Sequence, residues 1–136
     1  MNAPAEVGGP RPRPSWVIAG WAVVAVAGPA VALGVVYLLA AMWSACDVGV
    51  NAAANSGGLL FFDLPFLLIV LAVAMLPSYA LVSRRSVAGA LALACGLAVA
   101  VAWVYVAWRH NPGGDYPAPI CPPDNVPGWW PGWIPI

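Results

Sequence analysis

The chain has 136 residues, 62% of them hydrophobic types and 7% charged, with five Lys+Arg against five Asp+Glu. A soluble domain carries about a quarter charged residues, so this inventory cannot cover a water-facing globule, and it points to an integral membrane protein. The even charge balance leaves no basic footprint for nucleic acid. The absence of lysine excludes P-loop and Schiff-base chemistry, and a single histidine excludes multi-histidine haem and zinc sites.

Residues 1–15 carry Pro4, Pro10, Pro12 and Pro14 with two glycines. They have too little apolar surface to offset ordering, so a flexible, partly polyproline-like cytoplasmic lead is expected. The next 28 residues, 16–43, contain no charge; at about 1.5 Å per residue they exceed a hydrocarbon core of roughly 30 Å. That run is too long for the apolar region of a cleavable signal peptide. Trp16, Trp21 and Trp43 lie near its ends as interfacial aromatics do, and Gly28-Pro29 predicts a kink.

Ser44 to Gly58 is rich in Asn, Gly and Ala and reads as a loop bearing Asp47. A second apolar stretch occupies 59–82, where Asp63 followed by Pro65 suggests a capped helix start. The 19 residues from Leu64 to Val82 still suffice to span. Phe61, Phe62 and Phe66 fit an interfacial belt, and Met75 a flexible filler of a packing gap. Ser83-Arg84-Arg85-Ser86 is a short turn into a third uncharged span at 87–108, so these two helices form an antiparallel hairpin. In the third span every even position from 88 to 102 is Ala or Gly. The row Ala88, Ala92, Gly96, Ala100 has the spacing of a close-packing face, but alternation by two scatters small residues over several faces.

The expected fold is therefore an all-α membrane protein: three transmembrane helices at 16–43, 59–82 and 87–108, followed by an irregular Pro/Trp-rich tail at 109–136. Arg11 and Arg13 precede the first helix, and Arg84 and Arg85 join the second and third; Arg109 alone lies on the opposite side. Four against one places the N-terminus in the cytoplasm and the tail outside. The tail has eight prolines, four glycines and three tryptophans, which precludes a helix or central strand. Trp129, Trp130, Trp133 and Ile134 would be left bare in water, so contact with a partner or with the outer membrane surface is expected.

On that topology Cys46 and Cys121 share the outer compartment while Cys95 lies within the third helix, and a Cys46–Cys121 disulfide is expected. No Cys-x-x-Cys pair suggests thiol oxidoreductase chemistry. Trp43-Ser44-Ala45-Cys46 resembles a bacterial lipobox in its small residues before cysteine, which would make Cys46 a lipid anchor. Tryptophan stands there in place of the aliphatic residue of that motif. Asp63, Arg109 and His110 meet at the outer boundary. Their ordinary roles are a cap for Asp63 and dipole complement for Arg109 and His110; the sharper alternative pairs Asp63 with Arg109, with His110 beside them, as a proton-accepting cluster facing a partner or quinone. Met42, Cys46, His110 and Cys121 are soft ligands without ligand spacing, so neither a metal nor another cofactor is expected.

Too few acids, bases and nucleophiles are present to compose an enzyme site. The sequence points instead to a non-catalytic accessory subunit or assembly factor of a larger membrane complex, in contact with the lipid bilayer and not with nucleic acid. Arginine without lysine and abundant alanine fit a high-GC bacterial genome and hence a bacterial plasma membrane. The alternative is a small transporter or channel acting as a homo-oligomer, against which stands the lack of an inverted repeat or of ionisable groups in the spans other than Asp63.

Overall fold

The computed structural model describes residues 15–49, 52–111, 120–121 and 123–136. The lead expected at 1–15 falls outside the described residues except for Ser15, as do Arg11 and Arg13. Among the described residues there are four α-helices, α1 (Ser15–Cys46), α2 (Ala52–Gly58), α3 (Leu64–Val82) and α4 (Val87–Arg109), and no strand. A π-helical turn, Leu59–Asp63, joins α2 to α3. Three stretches are long and apolar enough to cross a membrane: Ser15–Cys46, Ala53–Val82 and Val87–Arg109.

The second span corrects the sequence reading, because the segment expected to be a loop up to Gly58 is helical from Ala52 onward. Ala52, Ala53 and Ala54 favour helix, and a backbone entering lipid must satisfy its own hydrogen bonds. The π turn follows from Pro65, which has no N–H to donate to Phe61 and whose ring would strike that carbonyl. The backbone instead widens, and the Leu64 N–H donates to the Leu59 carbonyl five residues back. α1 continues through Pro29 and α3 through Pro77 as unbroken helices.

The hairpin between α3 and α4 is closed by the Ser83 to Ser86 turn. Arg85 N–H donates to the Val82 carbonyl at 2.9 Å. Ser86 has an extended backbone, and its hydroxyl accepts from the Gly89 N–H at 3.1 Å, which satisfies one orphan donor of α4. Arg84 and Arg85 are exposed at this hairpin end; Cys46 and Arg109 mark the opposite, disulfide end.

Each helix buries a row at four-residue spacing. α1 contributes Val24, Gly28, Ala32 and then Val35, Leu39 and Met42; α3 contributes Leu67, Leu71, Met75 and Tyr79. These rows pack as ridges around a shared core. At the hairpin end Tyr79 is fully buried, donates to the Val17 carbonyl at 3.1 Å and meets Trp21 edge-on with centroids 4.8 Å apart. Gly20 makes room for it, since a Cβ there would collide with the Tyr79 hydroxyl.

On α4 the packed small residues are Ala90, Ala94 and Ala98, whereas Ala88, Ala92, Gly96 and Ala100 are exposed. The row singled out from sequence is thus displaced by two residues from the face that meets α1 and α3. This register yields a direct expectation. Ala94→Leu should destabilise the bundle by about 1–3 kcal/mol through overpacking, while Ala92→Leu should change the thermal unfolding midpoint in detergent little. Equal effects at the two positions would contradict the register.

Candidate functional site

The charged residues within the described spans, Asp63 and Arg109, converge at the disulfide end. Asp63 closes the π turn with helical backbone angles and makes no capping hydrogen bond. The capping role expected for it is therefore incorrect: the helix does not begin there, and the Leu64 N–H already has the Leu59 carbonyl. The π turn instead aims the side chain inward, where it is 4% exposed. Arg109 Nε donates to Asp63 Oδ1 at 2.8 Å and Nη2 to Oδ2 at 3.2 Å, a two-pronged pairing, and the Tyr105 hydroxyl donates a third hydrogen bond to Oδ1. Tyr105 and Arg109, four apart on one face of α4, hold a single carboxylate from the π turn that precedes α3.

Two indoles flank the guanidinium. Arg109 Cζ lies 5.3 Å from the centroid of Trp43 and 5.8 Å from that of Trp108, within cation–π range. The Trp43 indole N–H also reaches the carbonyls of Arg109 and His110, at 3.2 and 3.1 Å, and so satisfies orphan acceptors at the end of α4. Trp43 is buried, whereas the sequence suggested an interfacial ring. His110 does not join the pair; its Nδ1 lies 2.8 Å from the Ala107 carbonyl of its own helix. Of the three residues expected to cluster, the structure brings Asp63 and Arg109 together and turns the His110 ring elsewhere. Tyr105 and Trp43 were missed from sequence, although the i, i+4 spacing of Tyr105 and Arg109 was a usable signal.

Cys46 and Cys121 lie at disulfide-bonding distance, with Cα atoms 5.3 Å apart, and Cys95 is free and exposed on α4. Trp43 to Cys46 form the last turn of α1, with Cys46 buried and bridged. That geometry disfavours a lipobox there. The bridge brings the tail to the end of α1. Beyond it the Asn125 N–H donates to the Cys121 carbonyl at 2.9 Å, and the Asn125 side chain donates to Asn111 Oδ1 at 3.0 Å.

The last residues form two successive turns of the same type. In Pro127-Gly128-Trp129-Trp130 the Trp130 N–H donates to the Pro127 carbonyl at 2.9 Å, and in Pro131-Gly132-Trp133-Ile134 the Ile134 N–H donates to Pro131 at 2.9 Å. The repetition divides the residues that the sequence had grouped. Trp130 packs against the core and donates its indole N–H to the Ile134 carbonyl at 2.9 Å. Ile134 is half-buried, but Trp129 and Trp133 are 52% and 82% exposed. The Trp103 indole on α4 donates to the Pro135 carbonyl at 2.9 Å, and Ile136 rests on the core. The described tail is thus folded back onto the bundle.

Set against known protein families, curated proteins and solved structures, the chain matches none of them.

Proposed function

We propose that the chain is a non-catalytic accessory subunit or assembly factor of a larger bacterial membrane complex. It would lie in the plasma membrane with its N-terminus cytoplasmic and its C-terminus outside. The observation that carries this reading is the tail: a disulfide and the Trp103–Pro135 hydrogen bond fix it to the bundle, yet it leaves the Trp129 and Trp133 rings uncovered. Rigid indoles on a pre-ordered backbone lose little entropy on docking, and tryptophan is the residue type most enriched at binding hot spots.

Two further features support it. The Asp63 carboxylate is spent on Tyr105 and Arg109, so this cluster offers a structural tie in place of a proton-accepting site. Arg109 is itself neutralised by that ion pair, which sharpens the charge asymmetry that orients the protein.

Purification in mild detergent followed by mass spectrometry tests the proposal. A heterologous membrane-protein partner should co-purify at fixed stoichiometry. Trp129→Ala with Trp133→Ala should release it at least tenfold while leaving insertion intact, since hot-spot tryptophans cost about 2 kcal/mol or more each. A pure homo-oligomer would overturn the accessory reading in favour of a small channel or transporter. Full retention of the partner after the double change would show that the tail is not the recognition element.

A further inference from the structure

At the disulfide end, a cleft of about 550 Å³ opens between the last turns of α1 and the α2 and π segment. Its walls change character along their length. Along α1, Ser44 and Asp47 line it toward the helix end and Tyr37, Ala40 and Ala41 lie about one to three turns deeper, while Asn55 and Ser56 line it from α2. Tyr37 and Asp47 are ten residues apart, about 15 Å at helical rise, so the cleft runs from the polar edge of the span into its apolar part.

Asp47 sits where stability alone would not place an acid. It directly follows α1, at the negative end of the helix, where cations are favoured and carboxylates are not. Its φ of 54° is in the left-handed region, which Asp tolerates much as Asn does, so it is the charge and not the backbone that is ill placed. No described residue forms an ion pair with it: Arg109, the only described Lys or Arg at this end, is bound to Asp63. A helix terminus and an exposed carboxylate therefore concentrate negative potential at one edge of a cleft whose other edge is hydrocarbon.

The wall carrying Asp47 is held in place. Cys46 is bridged to Cys121, the Val48 N–H donates to the Trp43 carbonyl at 2.9 Å, and the Asn55 amide donates to the Val48 carbonyl at 2.6 Å. Gly49, at φ 100°, packs so closely on the Asn55 side chain that a Cβ there would collide with it. Such a wall does not need ordering when a ligand arrives.

We infer that this cleft binds a membrane lipid with an ammonium headgroup, of the phosphatidylethanolamine type. The ammonium pairs with Asp47, Ser44 and Ser56 supply hydroxyls to the polar head, and the first part of an acyl chain lies along Tyr37, Ala40 and Ala41. Both ends are required: a free amine leaves the apolar half empty, and an anionic lipid meets Asp47 and the helix end with the wrong sign. The inference does not depend on the tail recruiting a partner.

Native mass spectrometry of the full chain, released from bilayers of equal phosphatidylethanolamine and phosphatidylglycerol, tests it. The wild type should retain the ethanolamine lipid about tenfold over the glycerol lipid, the scale of one charge-assisted hydrogen bond. Asp47→Asn should abolish that preference while raising, not lowering, the thermal unfolding midpoint, because it removes an ill-placed charge and keeps a residue suited to positive φ. Ala41→Phe, which fills the apolar end and leaves Asp47 intact, should reduce retention of both lipids. Equal retention of the two lipids by the wild type would overturn the inference, as would an unaltered preference in Asp47→Asn. Displacement of the lipid by equimolar free ethanolamine would show an amine site without a lipid role, and an Asp47-dependent protein partner filling the cleft would equally overturn it.

Discussion

Asp63→Ala is expected to cost about 3 kcal/mol of stability, the lower end of the range for breaking a buried ion pair. The change strands two groups at once. Arg109 keeps its charge between the Trp43 and Trp108 rings without a carboxylate, and the Tyr105 hydroxyl loses its acceptor. The lower end applies because the Arg109 side chain is 25% exposed and can turn part of its guanidinium toward water or headgroups. Tyr105→Phe removes one hydrogen bond and should cost about 1 kcal/mol. Replacing the pair together, Asp63→Leu with Arg109→Met, should cost less than the sum of the single changes, since no charge is left alone. Urea unfolding in detergent, followed by tryptophan fluorescence, measures each of these variants and the single changes that make up the pair. If Asp63→Ala unfolds at the wild-type midpoint, the cluster does not hold α3 to α4.

The chemistry of that cluster explains what could and could not be read from the chain. The three spans were legible because their signal is local: uncharged runs of sufficient length between charged or polar breaks. The hairpin was legible from four residues, Ser83 to Ser86, and the Cys46 to Cys121 proximity from the count of spans separating them. Asp63 was misread because a local rule, an acid two residues before a proline, competed with partners more than forty residues away in sequence. Nothing near Asp63 announces Tyr105, whereas the Arg109 pairing was within reach because the count of spans puts both residues at the same boundary. The small-residue register failed for a related reason. Alanine or glycine at every second position of α4 gives each face a share of small side chains, and only the rows offered by α1 and α3 select Ala90, Ala94 and Ala98. In the tail, composition indicated that aromatics needed cover but not which ones. That choice is made by the turns closed at Pro127 and Pro131, which send Trp130 inward and Trp129 and Trp133 outward.

Trp43 joins these levels, and its removal is the second large effect expected. Read from sequence it belongs to an interfacial belt, where truncation to alanine would alter unfolding little. In the structure it is 6% exposed, bonds two carbonyls at the end of α4 and lies against the guanidinium that holds α3. Trp43→Ala should therefore cost about 3–5 kcal/mol, as for a large aromatic removed from a core. Trp43→Phe separates the contributions: it keeps a ring for the core and the cation but loses the indole N–H, and should cost about 1 kcal/mol. The two carbonyls it frees lie at a helix end within reach of water, which holds the figure low. Combining Trp43→Ala with Asp63→Ala should give less than additive destabilisation, because both act through Arg109. Hydrogen exchange supplies a spatial check. Amides of the last turn of α4 should exchange faster in Trp43→Ala, while those around Tyr79 at the hairpin end should keep their protection relative to global unfolding. Uniform behaviour along α4 would place Trp43 back in the belt and leave the union of α1 with the end of α4 to other contacts.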